Sequence, residues 1–131
     1  MKIIPFKKSY YGEICEWWKE HGWEPVDEDV LSFDGYVVVD EDDEKIVCGW
    51  FFRQNSMISL LEWVISNPKF KGKKVYKALT VLEDHVCKLS DKLGYKMVMS
   101  MLEHNGLINF FNKKNWKTSD RNITLLIKRL S

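Results

Sequence analysis

The stretch Ser66-Asn67-Pro68-Lys69-Phe70-Lys71-Gly72-Lys73-Lys74-Val75-Tyr76-Lys77-Ala78-Leu79 decides how this chain is read. Before it, Met57–Ser66 is dense in β-branched and apolar residues and reads as a strand that Pro68 ends. After it, Val75, Ala78, Leu79, Leu82, Val86, Leu89 and Leu93 recur at steps of three and four, which predicts a helix from about Lys73 that Gly94 stops. A strand, a short lysine-rich loop and a long helix form an anion-binding unit. Backbone N–H groups at a helix start lack internal partners, and the helix dipole favours negative charge there. Lys69, Lys71, Lys73, Lys74 and Lys77 crowd the loop, so a pyrophosphate suits it; the competing reading is a solvated lysine face. A Walker loop is excluded, because GxxxxGK[ST] does not occur.

Outward from this unit, Lys2–Lys7 reads as a strand and Ser9 as the N-cap of a helix through His21, with Gly22 as its stop. Tyr10, Ile14, Trp17 and Trp18 are its apolar face. Gly35–Asp40 and Lys45–Arg53 predict a hairpin whose tip is the acidic run Glu41–Glu44. Downstream, Lys96–Leu102 reads as a strand, Asn105–Lys114 as a helix capped by Asn105 and ended by a left-handed Asn115, and Asn122–Leu130 as a last strand. The predicted order is β-α-β-β-β-α-β-α-β. The fold class is α/β, a mixed and mostly antiparallel sheet with helices on both faces and parallel pairing around Leu61 and Val98.

The chain has 131 residues, a length that suits a single domain spanning 1–131. Its 20 basic and 19 acidic residues nearly cancel, which argues against a general nucleic-acid binder. The three cysteines, Cys15, Cys48 and Cys87, form no CxxC pair. Neither a metal site nor a disulfide framework is indicated, and a reducing cytoplasm is expected. The first residues have no long apolar run, and no stretch approaches the roughly 20 apolar residues of a membrane span.

Taken together, the loop, long helix, strand, Asn-initiated helix and final strand resemble the GNAT superfamily of acyl-CoA N-acyltransferases. In that pattern, Q/R-x-x-G-x-G/A, Lys71 takes the first basic place. Lys74 and Tyr76 stand where the two glycines belong, and Gly72 is displaced to a place between Lys71 and Lys74. Phe111 stands where a tyrosine is usual, and Asn115-Trp116 replaces Gly-Phe. The resemblance implies that acetyl-CoA is the co-substrate and no metal is used. Its diphosphate would be held at Lys71, Gly72, Lys73, Lys74, Val75 and Tyr76. Its pantetheine arm would pair with the backbone of Val64, Ile65 and Ser66 where two strands splay, with Asn105 and Phe111 nearby. Helical dihedrals at Lys74 and Tyr76 would direct their side chains outward and leave the N–H groups usable.

Glu62 is the sole charged residue between Gln54 and Lys69. Alternation places it with Leu60 and Val64 on one sheet face, opposite Leu61, Trp63 and Ile65. On an apolar face its pKa is expected to rise, fitting it to deprotonate an acceptor amine; the alternative is an ordinary strand glutamate. His104, ending a strand, is the second candidate for catalysis. His21 and His85 read as surface residues, and Trp17, Trp18 and Trp23 as core or as the wall of an acceptor pocket. The expected function is acetyl-CoA-dependent N-acetyl transfer to an unidentified amine. The alternatives are a GNAT-shaped binding protein without catalysis and, least favoured, a nucleic-acid-associated factor.

Overall fold

A computed structural model describes residues 1–131 as two compact units, 1–101 and 102–131. In the first, β1 (Lys2–Pro5), β2 (Asp34–Val39), β3 (Lys45–Phe52), β4 (Ile58–Ser66) and β5 (Met97–Met99) form one sheet in sequence order. β1 to β4 pair antiparallel. β4 and β5 run parallel, as their helical crossover requires, through Ile58–Met97, Ser59–Val98 and Leu60–Met99.

Helix α1 (Tyr11–Glu20) buries Ile14, Trp17 and Trp18 against Val37, Val39, Cys48, Trp50 and Ile65 on one face. Helix α2 (Lys73–Lys92) buries Ala78, Leu79, Leu82 and Val86 on the other. Gly49 permits this close approach: a Cβ there would lie 3.1 Å from Leu82 of α2 and 3.1 Å from Val64. Ser59 and Ser90 satisfy each other by a 2.7 Å hydroxyl contact beneath α2. Gly22 and Gly94 end the two helices at φ +84° and +89°.

Three local expectations fail here. Ser9 does not cap α1, because a 3-10 turn, Lys8–Tyr10, leads into it and no side chain caps the helix. Trp17 and Trp18 are core as expected, but Trp23 is exposed and does not join them. The alternation of β4 is broken at Trp63, whose φ is +54°. The register moves from Trp50–Glu62 to Cys48–Ile65, so three steps on β4 oppose two on β3. This bulge inserts one residue and reverses the facing of all that follows. Val64 therefore joins Leu61 on the α2 face rather than Leu60 and Glu62.

In the second unit, α3 (Asn105–Lys113) is followed by Asn115 at φ +69°. Its N-cap is His104, whose Nδ1 accepts the Leu107 N–H at 3.4 Å, so Asn105 is the first helical residue and not the cap. The expected strand 122–130 does not form. Asn122 has φ +56°, and Leu126, Ile127 and Leu130 are more than four-fifths exposed. The composition is strand-like, but a strand exists only where a ladder partner supplies its hydrogen bonds.

Candidate active site

The fork between β4 and β5 is made by a side chain. Past the Leu60–Met99 pair, the N–H of Met101 is taken by Glu62 Oε1 at 3.0 Å rather than by a backbone carbonyl. β4 continues to Ser66 without β5 beside it. Glu62 is cross-strand to Trp50 and so shares the α1 face, where Trp50 stacks on Trp18 at 5.8 Å. Only 8% of Glu62 is exposed. Loss of hydration raises its pKa to about 7, against the smaller opposing effect of the Met101 N–H. A carboxyl group titrating there exchanges a proton readily at neutral pH. The left-handed Trp63 directly follows it, a conformation that a bulky residue keeps only when packing enforces it.

On the departed side of β4, one acceptor is already in use. Asn67 N–H donates to Ile46 O at 2.8 Å and flanks the Val47–Ser66 pair, so the carbonyl of Ser66 points away from β3. His21 Nε2 lies 2.9 Å from that oxygen. A carbonyl can only accept, so Nε2 carries the proton. The His21 ring also stacks on Trp23 at 5.1 Å. The surface role expected for His21 is thus replaced by a tie from the end of α1 to the end of β4. His85 is likewise half-buried, edge-on to Tyr36 at 4.5 Å, and burial lowers its pKa.

The loop then turns into α2 through Gly72, at φ +65° and ψ −134°, a region in which a side chain is strained. The first helical bond is Tyr76 N–H to Gly72 O, 3.0 Å. The N–H groups of Lys73, Lys74 and Val75 precede it. No side chain caps this end, and no acidic residue lies in its first turn. Lys74 and Tyr76 are inside α2, where helical dihedrals direct their side chains off the axis. The Lys74 N–H precedes the first helical bond, whereas the Tyr76 N–H is spent on Gly72 O and, against expectation, is not left for a ligand. The Lys74 ammonium goes to Asp40 Oδ2 at 2.6 Å and lies 4.6 Å from the centre of the Phe70 ring. Lys69 pairs with Glu44 at 2.9 Å. Lys71, Lys73 and Lys77 are exposed and make no ion pair.

Glu62, Val64, Ile65, Ser66 and residues 71–76 therefore lie on one strand–loop–helix run of the first unit. His104, Asn105 and Phe111 belong to the second. There His104 caps α3, and Phe111 is buried beside Phe110 and Trp116, with ring centres at 5.2 and 4.7 Å. The sequence reading missed His21, Asp40 and Asn67. Pro68 marks only the end of a strand, and an acidic hairpin tip reads as solvated until its partners are known. Cys48 and Cys87 are held as thiols, burial raising the first well above its ordinary value and the second to about 12. Neither is a ready nucleophile. No group of three or more His, Cys, Asp or Glu side chains is arranged to hold a metal ion, and no helix is long and apolar enough to cross a membrane.

No family model and no curated protein matches the sequence. Solved structures do match. An acetyltransferase from Trypanosoma brucei is 14% identical, with 96% of this chain and 99% of that one aligned at a TM-score of 0.66. A GNAT-family acetyltransferase from Streptococcus pneumoniae is 14% identical, covering 98% and 97%, at 0.64. A transcriptional regulator from Bacillus halodurans is 9% identical, covering 96% and 99%, at 0.72. The overall fold is thus shared across proteins with almost no sequence in common, and this chain has the GNAT fold.

Proposed function

We propose that the protein is an acetyl-CoA-dependent N-acetyltransferase that passes the acetyl group directly to an amine. The observation that carries this reading is the β4–β5 fork, with a buried carboxyl group of raised pKa at its vertex and an uncapped helix start beyond it. The N–H groups of Lys73, Lys74 and Val75 would hold the diphosphate, with Lys71 and Lys73 as the nearby unpaired charges. The edge of β4 that β5 leaves unpaired at Val64 and Ser66 would pair with the amide groups of the pantetheine arm as an added strand. Glu62, as carboxylate, would take a proton from the acceptor ammonium, directly or through water. The free amine then attacks the thioester carbon. A tetrahedral intermediate forms with the nitrogen positively charged. As it collapses, the CoA thiolate leaves with the electrons of the broken C–S bond and the nitrogen gives its second proton to water, leaving a neutral amide. Phe111 cannot protonate that thiolate, which leaves as the anion or takes a proton from water. The cytoplasm is the proposed location and a small-molecule or protein amine the acceptor.

A second reading, a binding protein of GNAT shape without catalysis, is favoured by Phe111, which lacks the phenol of the family pattern. Mass spectrometry of a broad amine panel incubated with acetyl-CoA separates the two. Acetylated product that depends on Glu62 supports the enzyme; acetyl-CoA binding with no product from any amine supports the second reading.

A further inference from the structure

The acidic tip between β2 and β3 is joined to the loop before α2 by a set of fixed contacts. Asn67 donates its backbone N–H to Ile46 O at 2.8 Å and its Nδ2 to Lys45 O at 2.9 Å, while its Oδ1 accepts the Lys69 N–H at 3.0 Å. Asp40 is only 4% exposed. Its Oδ1 accepts the N–H groups of Asp42 and Glu44 at 2.9 and 3.0 Å, and its Oδ2 faces Lys74. The Lys74 ammonium and these N–H donors hold the Asp40 carboxyl below its ordinary range. Glu44 holds Lys69. Glu41 and Asp43 are directed elsewhere, to the N-terminal amine and Lys2, each at 3.8 Å. Two of the five lysines around the helix start are therefore neutralised by two particular carboxylates, one of them rigidly seated.

We propose that Asp40 and Glu44 set the ligand selectivity of the α2 anion site by withholding Lys74 and Lys69 from it. A bound diphosphate is then held chiefly by directed backbone N–H groups. The inference rests on the reading of this loop as the diphosphate seat. Backbone donors demand a fitting shape, whereas five mobile ammonium groups would accept any dense polyanion, a nucleoside triphosphate included. Asp40 and Glu44 are in this sense specificity-determining residues that touch the ligand's counter-charges and not the ligand.

The test is calorimetric titration of acetyl-CoA and of ATP into wild type, Asp40→Asn/Glu44→Gln, and the same variant with Lys69→Met/Lys74→Met added. Asparagine keeps the oxygen that accepts the two tip N–H groups, so the loop retains its local bonds. In low salt the acid-neutral variant should bind ATP about tenfold and acetyl-CoA about threefold more tightly, narrowing the preference. The gain should vanish in about 0.3 M salt, where exposed charges are screened. Adding the two methionine substitutions should abolish the gain at any salt. Should Asp40→Asn prevent folding, Glu44→Gln alone changes an exposed pair and should give a smaller gain of the same sign. Unchanged or weaker binding in the acid-neutral variant overturns the proposal. If wild type ignores acetyl-CoA while the acid-neutral variant gains salt-sensitive ATP binding, the proposal stands and the acetyl-CoA reading falls. If no form binds either ligand, both fall.

Discussion

Replacing Glu62 by Gln tests the energetics of the fork before any substrate is involved. The native carboxyl titrates near 7 because burial removes its hydration, against an ordinary value of 4.5. The folded state therefore holds this proton more tightly than the unfolded chain. Its stabilising effect is complete below the unfolded value, and stability declines as pH rises through about 7. Moving from 4.5 to about 7 corresponds to roughly 3 kcal/mol at pH 8, but only about 0.4 kcal/mol at pH 4.5, where the native group is protonated and the unfolded one half protonated. Glutamine keeps an oxygen for the Met101 N–H and never ionises. It should thus stabilise the protein at pH 8 by about 3 kcal/mol more than at pH 4.5. Any loss from an unpaired amide hydrogen is independent of pH and leaves that difference intact. Urea unfolding at several pH values measures it, and at this size the gap is about 10 °C in melting temperature. A difference between Gln and Glu that stays constant from pH 4.5 to 8 would refute the buried, proton-holding Glu62.

Other consequences are more direct. Glu62→Gln should lower kcat about 100-fold with little change in acetyl-CoA affinity, and should remove a limb of the pH–rate profile that rises through about 7. Gly72→Ala meets no atom within 4 Å but must adopt φ +65°. It should lose about 1–2 kcal/mol by denaturant melt and weaken acetyl-CoA binding, because the helix start can relax only by moving its N–H groups.

What the sequence disclosed follows the range of each interaction. The acidic hairpin, the three- and four-residue rhythm of α2, the stops at Gly22 and Gly94 and the left-handed Asn115 are all encoded within a few residues, and all were legible. The Trp63 bulge was not. Nothing in Glu62-Trp63-Val64 departs from a good strand, yet Trp63 takes a positive φ. His21 and Ser66 are 45 residues apart, and Lys74 and Asp40 meet only once the hairpin is paired, so their partnership has no local signature. Glu62 was legible as a charge in an apolar strand, but its role as acceptor for Met101 depended on where β5 leaves the sheet. The segment 122–130 failed for the opposite reason: its β-propensity is plain, and propensity without a ladder is not a strand.

Backbone NMR of the labelled protein titrated with acetyl-CoA reads directly whether the fork and the α2 start bind the cofactor. Saturable shifts and slowed amide exchange are expected at Val64 and Ser66, along the edge of β4 that β5 leaves unpaired, and at Lys73, Lys74 and Val75 at the start of α2. No perturbation at millimolar acetyl-CoA, or perturbation confined to residues outside these two groups, would contradict binding there.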